Sequence, residues 1–148
     1  MIPIVRLTLK KDGILPFECE KIYGCEEAAP ILIDRIGMCA RECIGLICVD
    51  SHNRILNYSE ISFGKIDEVA IDYASILKTA LLSNAKAIVI GHNHPSNILK
   101  PSETDIEMTK KIAGLCNIFG INLIDSIIVV PNGDYLSIRT YIQKVRKE

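Results

Sequence analysis

A short loop with two prolines, between a buried strand and a helix, is the feature that most restricts the fold of this chain. It reads "GHNHPSNILKPSETD" from Gly91 to Asp105 and carries two of the three histidines in the sequence. The apolar run "AKAIVIG" that leads into it predicts a buried strand. Ser102 is typical of a helix N-cap, so a helix is expected to begin at Glu103. The fold must therefore bring a strand end and a helix start to the same loop.

The remaining sequence alternates short apolar blocks with helical patterns. The spacing of apolar residues predicts helices over 26–40, 72–84 and 103–119, the last of them ended by Gly120. The runs "ECIGLICVD", "RILNYSEISFG", "INLIDSIIVV" and "YLSIR" predict strands. "IPIVRLTL", "KKDG" and "ILPFE" predict an N-terminal hairpin within residues 1–20. Because no strict strand–helix–strand repeat occurs, we expect an α/β (α+β) fold with a mixed, largely antiparallel sheet flanked by helices.

Length and composition predict a single domain over residues 1–148. The chain is 49% hydrophobic, which is enough for a substantial core. No apolar block approaches the roughly 20 residues of a membrane span, and no signal peptide is visible, so a cytoplasmic location is expected. A net charge of −1 without a basic stripe makes nucleic acid an unfavourable direct ligand. The six cysteines form no CxxC pair and are expected to be small buried residues; a disulfide scaffold or thiolate cluster is the alternative.

The residue types in the loop match the ligands of a hydrolytic zinc site, which uses three protein ligands and keeps one position open. His92 and His94 stand at a strand end, where side chains two residues apart point the same way. Asp105 stands in the first turn of the following helix. We predict that these three residues bind one Zn²⁺ per chain, other divalent ions being possible. The alternative is that "SETD" only caps the helix and that the histidine pair is fortuitous.

A hydrolytic metal site also needs a group that accepts a proton from water. No HExxH sequence places a glutamate beside the histidines. Glu42 opens an apolar strand, where a carboxylate without a polar neighbour would be costly, so we predict that it is the general base. Glu60 is the rival candidate and Glu20 a weaker one, and Glu42 could instead be a surface acid. His52, in "SHNR", is expected to be a solvated turn residue.

The loop resembles the JAMM motif of the JAB/MPN metalloprotease superfamily, and the chain is most similar to the bacterial RadC-type JAB domain. The similarity extends through "RECIGLICVDSHNRIL", "SILKTALLSNAKAIVIGHNHPS" and "LIDSIIVVPNGDYLSIR" and covers nearly the whole chain. It implies a zinc-dependent peptidase in which His92, His94 and Asp105 are the ligands. It also implies that Glu42 acts as general base and later acid, and that Ser102 steadies the attacking water or the oxyanion.

Two positions depart from the family pattern. Asn97 stands where glycine is common, which concerns the flexibility of the loop and not the spacing of the ligands. Ser126, in "LIDSII", stands where a histidine is usual, so a group that would support the site or its substrate is replaced. The helix-hairpin-helix region that often precedes this domain is expected to be absent from these 148 residues.

Three functions are compatible with these features. The preferred one is a zinc-dependent hydrolase acting on a peptide or isopeptide bond of a peptide or protein substrate, because every motif residue is kept. The second is a non-catalytic JAB-like module that binds a protein or nucleic-acid partner in a DNA-repair or mobile-element context, with zinc structural or absent. The third, direct DNA binding, is disfavoured by the weak charge. The oligomeric state is left open.

Overall fold

Two apolar runs form the centre of the sheet because both of their faces are covered. In the computed structural model, which describes residues 1–63 and 71–148, β1 (Cys43–Val49) pairs with β3 (Ala87–Asn93). Every residue of these two strands is buried. A strand covered on both faces needs apolar side chains at successive positions and not only at alternate ones. This requirement explains the unbroken apolar sequences "CIGLICV" and "AIVI".

The sheet has five strands in the order β2-β1-β3-β4-β5. The outer strands are β2 (Ile55–Phe63), β4 (Asn122–Val129) and β5 (Tyr135–Ser137). Only β3 and β4 run parallel, and the other three pairings are antiparallel. The expected mixed, largely antiparallel sheet is thus confirmed, as are the first four of the five strands predicted after residue 40; Gly64, at the end of the second, lies outside the described residues.

Helices cover both faces of the sheet and make a single α/β domain. On one face α1 (Cys25–Ile36) packs against β1, β3 and β4, with Leu32 fully buried. On the other face, α2 (Tyr73–Leu82) and α3 (Glu103–Ile118) pack against the opposite side chains of β1 and β3. All three helices were predicted, and Gly120 after α3 has the positive φ of 69° that favours glycine. No helix of the described residues is both long and apolar enough to cross a membrane.

The N-terminal hairpin predicted within residues 1–20 is wrong. The described chain has no strand there, and the segment joins the sheet only through one bridge between Lys21 and Arg54. Leu15, Phe17 and Cys19 nevertheless alternate toward the core beside α1. A cleft of about 1060 Å³ separates this segment from β2. Ile2, Ile4, Leu7 and Leu9 of the alternating run are exposed, so the two-residue period of "IPIVRLTL" marks neither a strand nor a buried face here. Pro16 also lacks the N–H that a hairpin ladder would use.

The end of the chain is also different from the prediction. Only Tyr135–Ser137 of "YLSIR" is a strand, and Ile138–Arg146 forms a fourth helix, α4. Ser137 caps this helix by accepting a hydrogen bond from the Thr140 N–H (3.1 Å). Ile138 and Ile142 lie one turn apart and contact the core beside β4. This spacing is present in the sequence, but the strand pattern of the preceding residues concealed it.

The prediction that the cysteines are small buried residues is confirmed in full for three of the six. Cys43, Cys48 and Cys116 are buried in the two core clusters, and burial raises the pKa of the Cys48 thiol to about 11. The other three cysteines are half-buried, and all six are free thiols. High thiol pKa values and apolar surroundings make the buried cysteines unreactive, so they serve as small core residues.

His52 lies in the predicted turn, where its N–H donates to Asp50.

Close packing against α1 explains a glycine immediately before the first histidine of the loop. A Cβ added at Gly91 would lie 2.5 Å from Cδ1 and 2.7 Å from Cδ2 of Leu32. Leu32 is fully buried and has little room to move. Gly91 therefore lets α1 approach the sheet directly behind the histidine loop.

We predict that Gly91→Ala lowers the free energy of unfolding by about 1–3 kcal/mol, because the new methyl group overpacks the core. Gly114→Ala is the matched control, since Gly114 is exposed within α3 and a Cβ there meets nothing within 4 Å. That substitution should raise stability by about 0.5–1 kcal/mol through helix propensity. Urea denaturation measures both changes, and equal effects of the two substitutions would contradict the packing explanation.

Candidate metal centre

Three elements meet at the end of the sheet where the histidine loop leaves β3. His92 belongs to β3, and His94 follows it one residue beyond the strand. Asp105 occupies the third position of α3 and is buried like His92, whereas His94 is half-buried. The β3–loop–α3 connection thus returns the chain so that a strand end and a helix start face each other. The three residues singled out in the sequence are brought together as one group that could hold a metal ion.

The spacing of the donor atoms fits a single small cation. Nε2 of His92 lies 3.2 Å from Nε2 of His94 and 3.1 Å from Oδ1 of Asp105. Nε2 of His94 lies 3.2 Å from Oδ2 of Asp105. Two ligands bound at 2.0–2.1 Å to one tetrahedral zinc ion lie about 3.3 Å apart. The group therefore needs little rearrangement to bind such an ion, and nitrogen and carboxylate donors suit zinc and related divalent metals.

A backbone hydrogen bond sets the direction of His94. Nδ1 of its ring lies 2.7 Å from the carbonyl oxygen of Ile98, so Nδ1 donates and Nε2 keeps its lone pair for a metal. The loop reaches this geometry through Asn97, whose φ of 66° is positive. Asparagine tolerates that conformation better than most residues, which explains how it replaces the usual glycine. Its Oδ1 also accepts a hydrogen bond from the Asn132 N–H (3.1 Å), which connects the loop to the turn between β4 and β5.

Asp105 serves the helix and the metal group at the same time. Ser102 Oγ accepts from the Asp105 N–H at 3.1 Å, and Asp105 Oδ2 accepts from the Ser102 N–H at 2.8 Å, which completes a capping box. The carboxylate oxygens also face the two imidazoles. The capping interpretation and the metal interpretation are therefore compatible, because the cap fixes the carboxylate in the direction that the histidines require.

The electrostatics of the group favour an ionised carboxylate. Burial opposes ionisation of Asp105, but hydrogen bonds from His92 and His94 hold the pKa of its carboxyl well below the usual range. Burial alone would lower the pKa of His94, yet its hydrogen bonds with Asp105 and Ile98 raise it. Because metal ligands must be deprotonated, a metal ion would compete with protons for this group.

Glu42 is the predicted acid that lies on the side of the metal group. It immediately precedes β1, in which Ile44 pairs with His92. Continuing this antiparallel register places Glu42 opposite His94, and the negative charge of Glu42 contributes to the raised pKa of His94. The structure thus places Glu42 beside the histidines, where a proton acceptor was expected.

The two rival acids lie elsewhere. Glu60 pairs with Gly45 on the α1 face of the sheet and accepts hydrogen bonds from Arg35, at 3.0 and 3.2 Å, and from Tyr58. Glu60 shares this face with Tyr58, because residues two apart in a strand point the same way and no register shift separates the two. Glu20 is exposed, and its backbone carbonyl oxygen accepts from the Ile55 N–H at the opposite end of the strands from the histidines. Neither side chain belongs to the metal group.

Asn93 is a residue of the site that the sequence patterns did not single out. It lies between the two histidines, is fully buried, and its side chain bonds to the chain on either side of Glu42. In the sequence, only the position of Asn93 between the two histidines indicated a role at this site. A buried amide in an otherwise apolar strand must find hydrogen-bond partners, and this could have drawn attention to it.

Ser126 occupies the position of the usual family histidine and lies in β4 opposite Ile90. It is fully buried, and its Oγ has no hydrogen-bond partner among the described residues. Nδ1 of His92 is likewise without a partner in that part of the chain. The orientation of His92 is therefore set by its burial and by Asp105, whereas His94 is fixed from both ring nitrogens.

Comparison with known proteins yields one consistent family. The family model of the RadC-like JAB domain matches residues 22–144. A UPF0758 protein of Finegoldia magna is 37% identical over 134 residues, covering 90% of this chain and 58% of that protein. One from Fusobacterium nucleatum is 36% identical over 125 residues, 84% of this chain and 53% of the relative. One from Actinobacillus pleuropneumoniae is 39% identical over 97 residues, 66% of this chain and 44% of the relative. The chain thus spans about half the length of the curated relatives it matches.

We predict that the protein binds about one divalent metal ion per chain and that Asp105→Ala retains little or none after dialysis, because a charged ligand is lost. Ser102→Ala is the matched control, since it removes the other half of the capping box. It should cost about 1 kcal/mol of stability and keep the metal. Elemental analysis after loading with Zn²⁺ gives the stoichiometry. Equal metal content in wild type and Asp105→Ala would mean that Asp105 only caps α3.

Proposed function

The chain belongs to the RadC-like JAB domain family, and on this basis we propose that it is a zinc-dependent hydrolase of peptide or isopeptide bonds. The observation that carries the proposal is the convergence of His92, His94 and Asp105 on one point, with Glu42 beside them. A site that served only to stabilise the fold would typically be closed by four protein ligands. Here three ligands and one neighbouring acid match the arrangement of a hydrolytic centre.

The accessibility of the ligands supports the same function. The His92 side chain is 1% exposed and that of Asp105 is 6% exposed, whereas the His94 side chain is 14% exposed. The group is therefore buried on the side of the core and reachable from the side of His94 and the loop. A substrate carbonyl could approach from that side while the protein held the ligands rigid.

A zinc ion in this site would act as a Lewis acid toward a substrate carbonyl and would make water acidic enough to be a nucleophile near neutral pH. The task of the protein is to move the proton. Glu42 would accept the proton of the attacking water at a carboxylate oxygen and donate it to the nitrogen of the leaving amine. Both transfers require the same carboxylate, first ionised and then protonated, so one residue is general base and later general acid.

We assign to Ser102 the stabilisation of charge on the substrate. Its Oγ accepts from the Asp105 N–H, and this leaves its own O–H free to donate. As the carbonyl carbon becomes tetrahedral, negative charge grows on its oxygen, and a donor fixed in advance stabilises that charge. The helix cap therefore has a second use, because it holds the hydroxyl beside the ligand group.

The substrate class follows from the chemistry that these residues can perform. Zinc ligands, a proton shuttle and an oxyanion donor suit hydrolysis of an amide, so a peptide or protein is the proposed substrate. The net charge of −1 offers no general attraction for nucleic acid.

We predict that Glu42→Gln keeps the metal and lowers turnover by about 10²–10⁴-fold, because the amide cannot carry the proton. Glu60→Gln is the matched control, since Glu60 is also a strand carboxylate but lies on the α1 face with Arg35. It should leave turnover unchanged. The assay uses a quenched fluorescent peptide library together with peptides branched through a lysine ε-amine, and metal content is measured for each protein.

Two results would contradict the proposal. Wild-type turnover by metal-loaded Glu42→Gln would assign the proton transfer to another group. Absence of turnover in the zinc-loaded wild type, across both substrate classes, would favour the non-catalytic binding module.

A further inference from the structure

Asn93 makes hydrogen bonds that reach across to the segment carrying Glu42. Its Oδ1 accepts from the Cys43 N–H at 2.6 Å. Its Nδ2 donates to the carbonyl oxygens of Cys39, at 3.1 Å, and Arg41, at 2.9 Å. The side chain is fully buried and points away from the metal group, because neighbouring residues of a strand face opposite sides. One amide thus uses its acceptor and both of its donor hydrogens on three backbone groups.

These bonds begin where the regular sheet ends. The pairing of β1 with β3 stops at Ile44 opposite His92, and residues 39–42 have no helix or strand structure. Without the ladder, this segment would depend on other contacts for its conformation. Asn93 is the next residue along β3 after the last pair of the ladder. Its side chain provides hydrogen-bond partners for backbone groups of Cys39, Arg41 and Cys43, which the ladder does not pair.

Two of the three hydrogen bonds are made to the peptide groups immediately before and after Glu42. The Arg41 carbonyl belongs to the peptide group before Glu42, and the Cys43 N–H belongs to the peptide group after it. Fixing both peptide planes restricts φ and ψ of the residue between them. The direction in which the Glu42 side chain leaves the backbone is then restricted by Asn93, and the negative charge of that side chain acts on His94.

We propose that Asn93 is a positioning residue for Glu42: its side-chain amide clamps the two peptide groups around Glu42 and holds the carboxylate beside the metal ligands. The catalytic consequence rests on the proposed hydrolase function, whereas the placement of Glu42 does not. The histidine pair and its middle residue thereby form one unit, in which two side chains reach for the metal and the third fixes the acid.

The chemistry of the clamp requires an amide. Aspartate has the same shape but no N–H, so it would set a carboxylate against two carbonyl oxygens. Serine is shorter and has a single donor, so it can keep one of the bonds at most. Alanine keeps none, and it leaves buried backbone groups unpaired.

The first experiment is a double-mutant cycle with metal-loaded proteins. We expect Asn93→Ala to lower kcat by roughly 10–100-fold with little change in KM, because a misplacement of about 1 Å at a reacting group can cost that much. In the Glu42→Gln background the same substitution should cause no further loss, since the residue that it positions is already inactive. A purely structural role would lower activity by the same factor in both backgrounds, and that result would overturn the proposal.

The second experiment does not depend on turnover. Crystal structures of the zinc-loaded wild type and the Asn93 variants should show the Glu42 carboxylate displaced or disordered in the variants, with His92, His94 and Asp105 unchanged. An unmoved Glu42 would overturn the proposal even if activity fell. A displaced Glu42 in a protein with no hydrolytic activity would support the clamp and reject only the hydrolase function.

Two further variants separate positioning from folding. Asn93→Ser is the milder substitution for use if Asn93→Ala does not fold, and failure of both to fold would assign the amide to the fold alone and overturn the proposal. Asn57→Ser is the matched control, because the Asn57 amide donates to Ser83 Oγ at 2.9 Å and lies opposite Cys48, away from the site. It should leave both kcat and the position of Glu42 unchanged.

Discussion

The antiparallel pairing of β1 with β3 is the interaction on which both the core and the site depend. Its register sets Ile44 against His92, and so it carries Glu42 to the level of His94. The same pairing lies at the middle of the sheet, where both faces are covered by helices. A slip of one residue would turn every side chain to the other face. The burial of both strands therefore fixes the register, and the register fixes the relative position of acid and ligands.

Capping of α3 is the second constraint, and it connects local structure to chemistry. The first turn of a helix leaves N–H groups without partners, and Ser102 and Asp105 satisfy two of them. The capping box needs a side-chain acceptor at the third position of the helix, and the metal site needs a carboxylate at that same position. Because Asp105 meets both needs, the site is anchored by an interaction that forms with the helix itself. Its low carboxyl pKa follows from the two imidazoles that face it, although burial opposes this.

The grouping of His92, His94 and Asp105 could be predicted from the sequence because they lie within one segment of 14 residues, whose strand, loop and helix are each marked by local signals. Glu42 was a weaker prediction, since 50 residues separate it from His92 and only sheet pairing joins them. Glu60 could not be rejected in advance. The register of β2 against β1 decides which face of the sheet Glu60 occupies, and the local sequence does not reveal that register.

By itself the sequence determined the order and type of most elements, the two strands buried on both faces, and the ligand set with its cap. These depend on residue periodicity and on contacts within a few positions. Only the tertiary structure decided that residues 15–19 lie beside the core without forming a hairpin, that α4 follows β5, and that Asn93 reaches the backbone around Glu42. For α4 the helical spacing of Ile138 and Ile142 was present in the sequence, and only their packing beside β4 shows that it outweighs the preceding strand pattern. The Asn93 contacts and the bridge between Lys21 and Arg54 join backbone groups far apart in the chain, and such partners leave no periodic trace in the sequence.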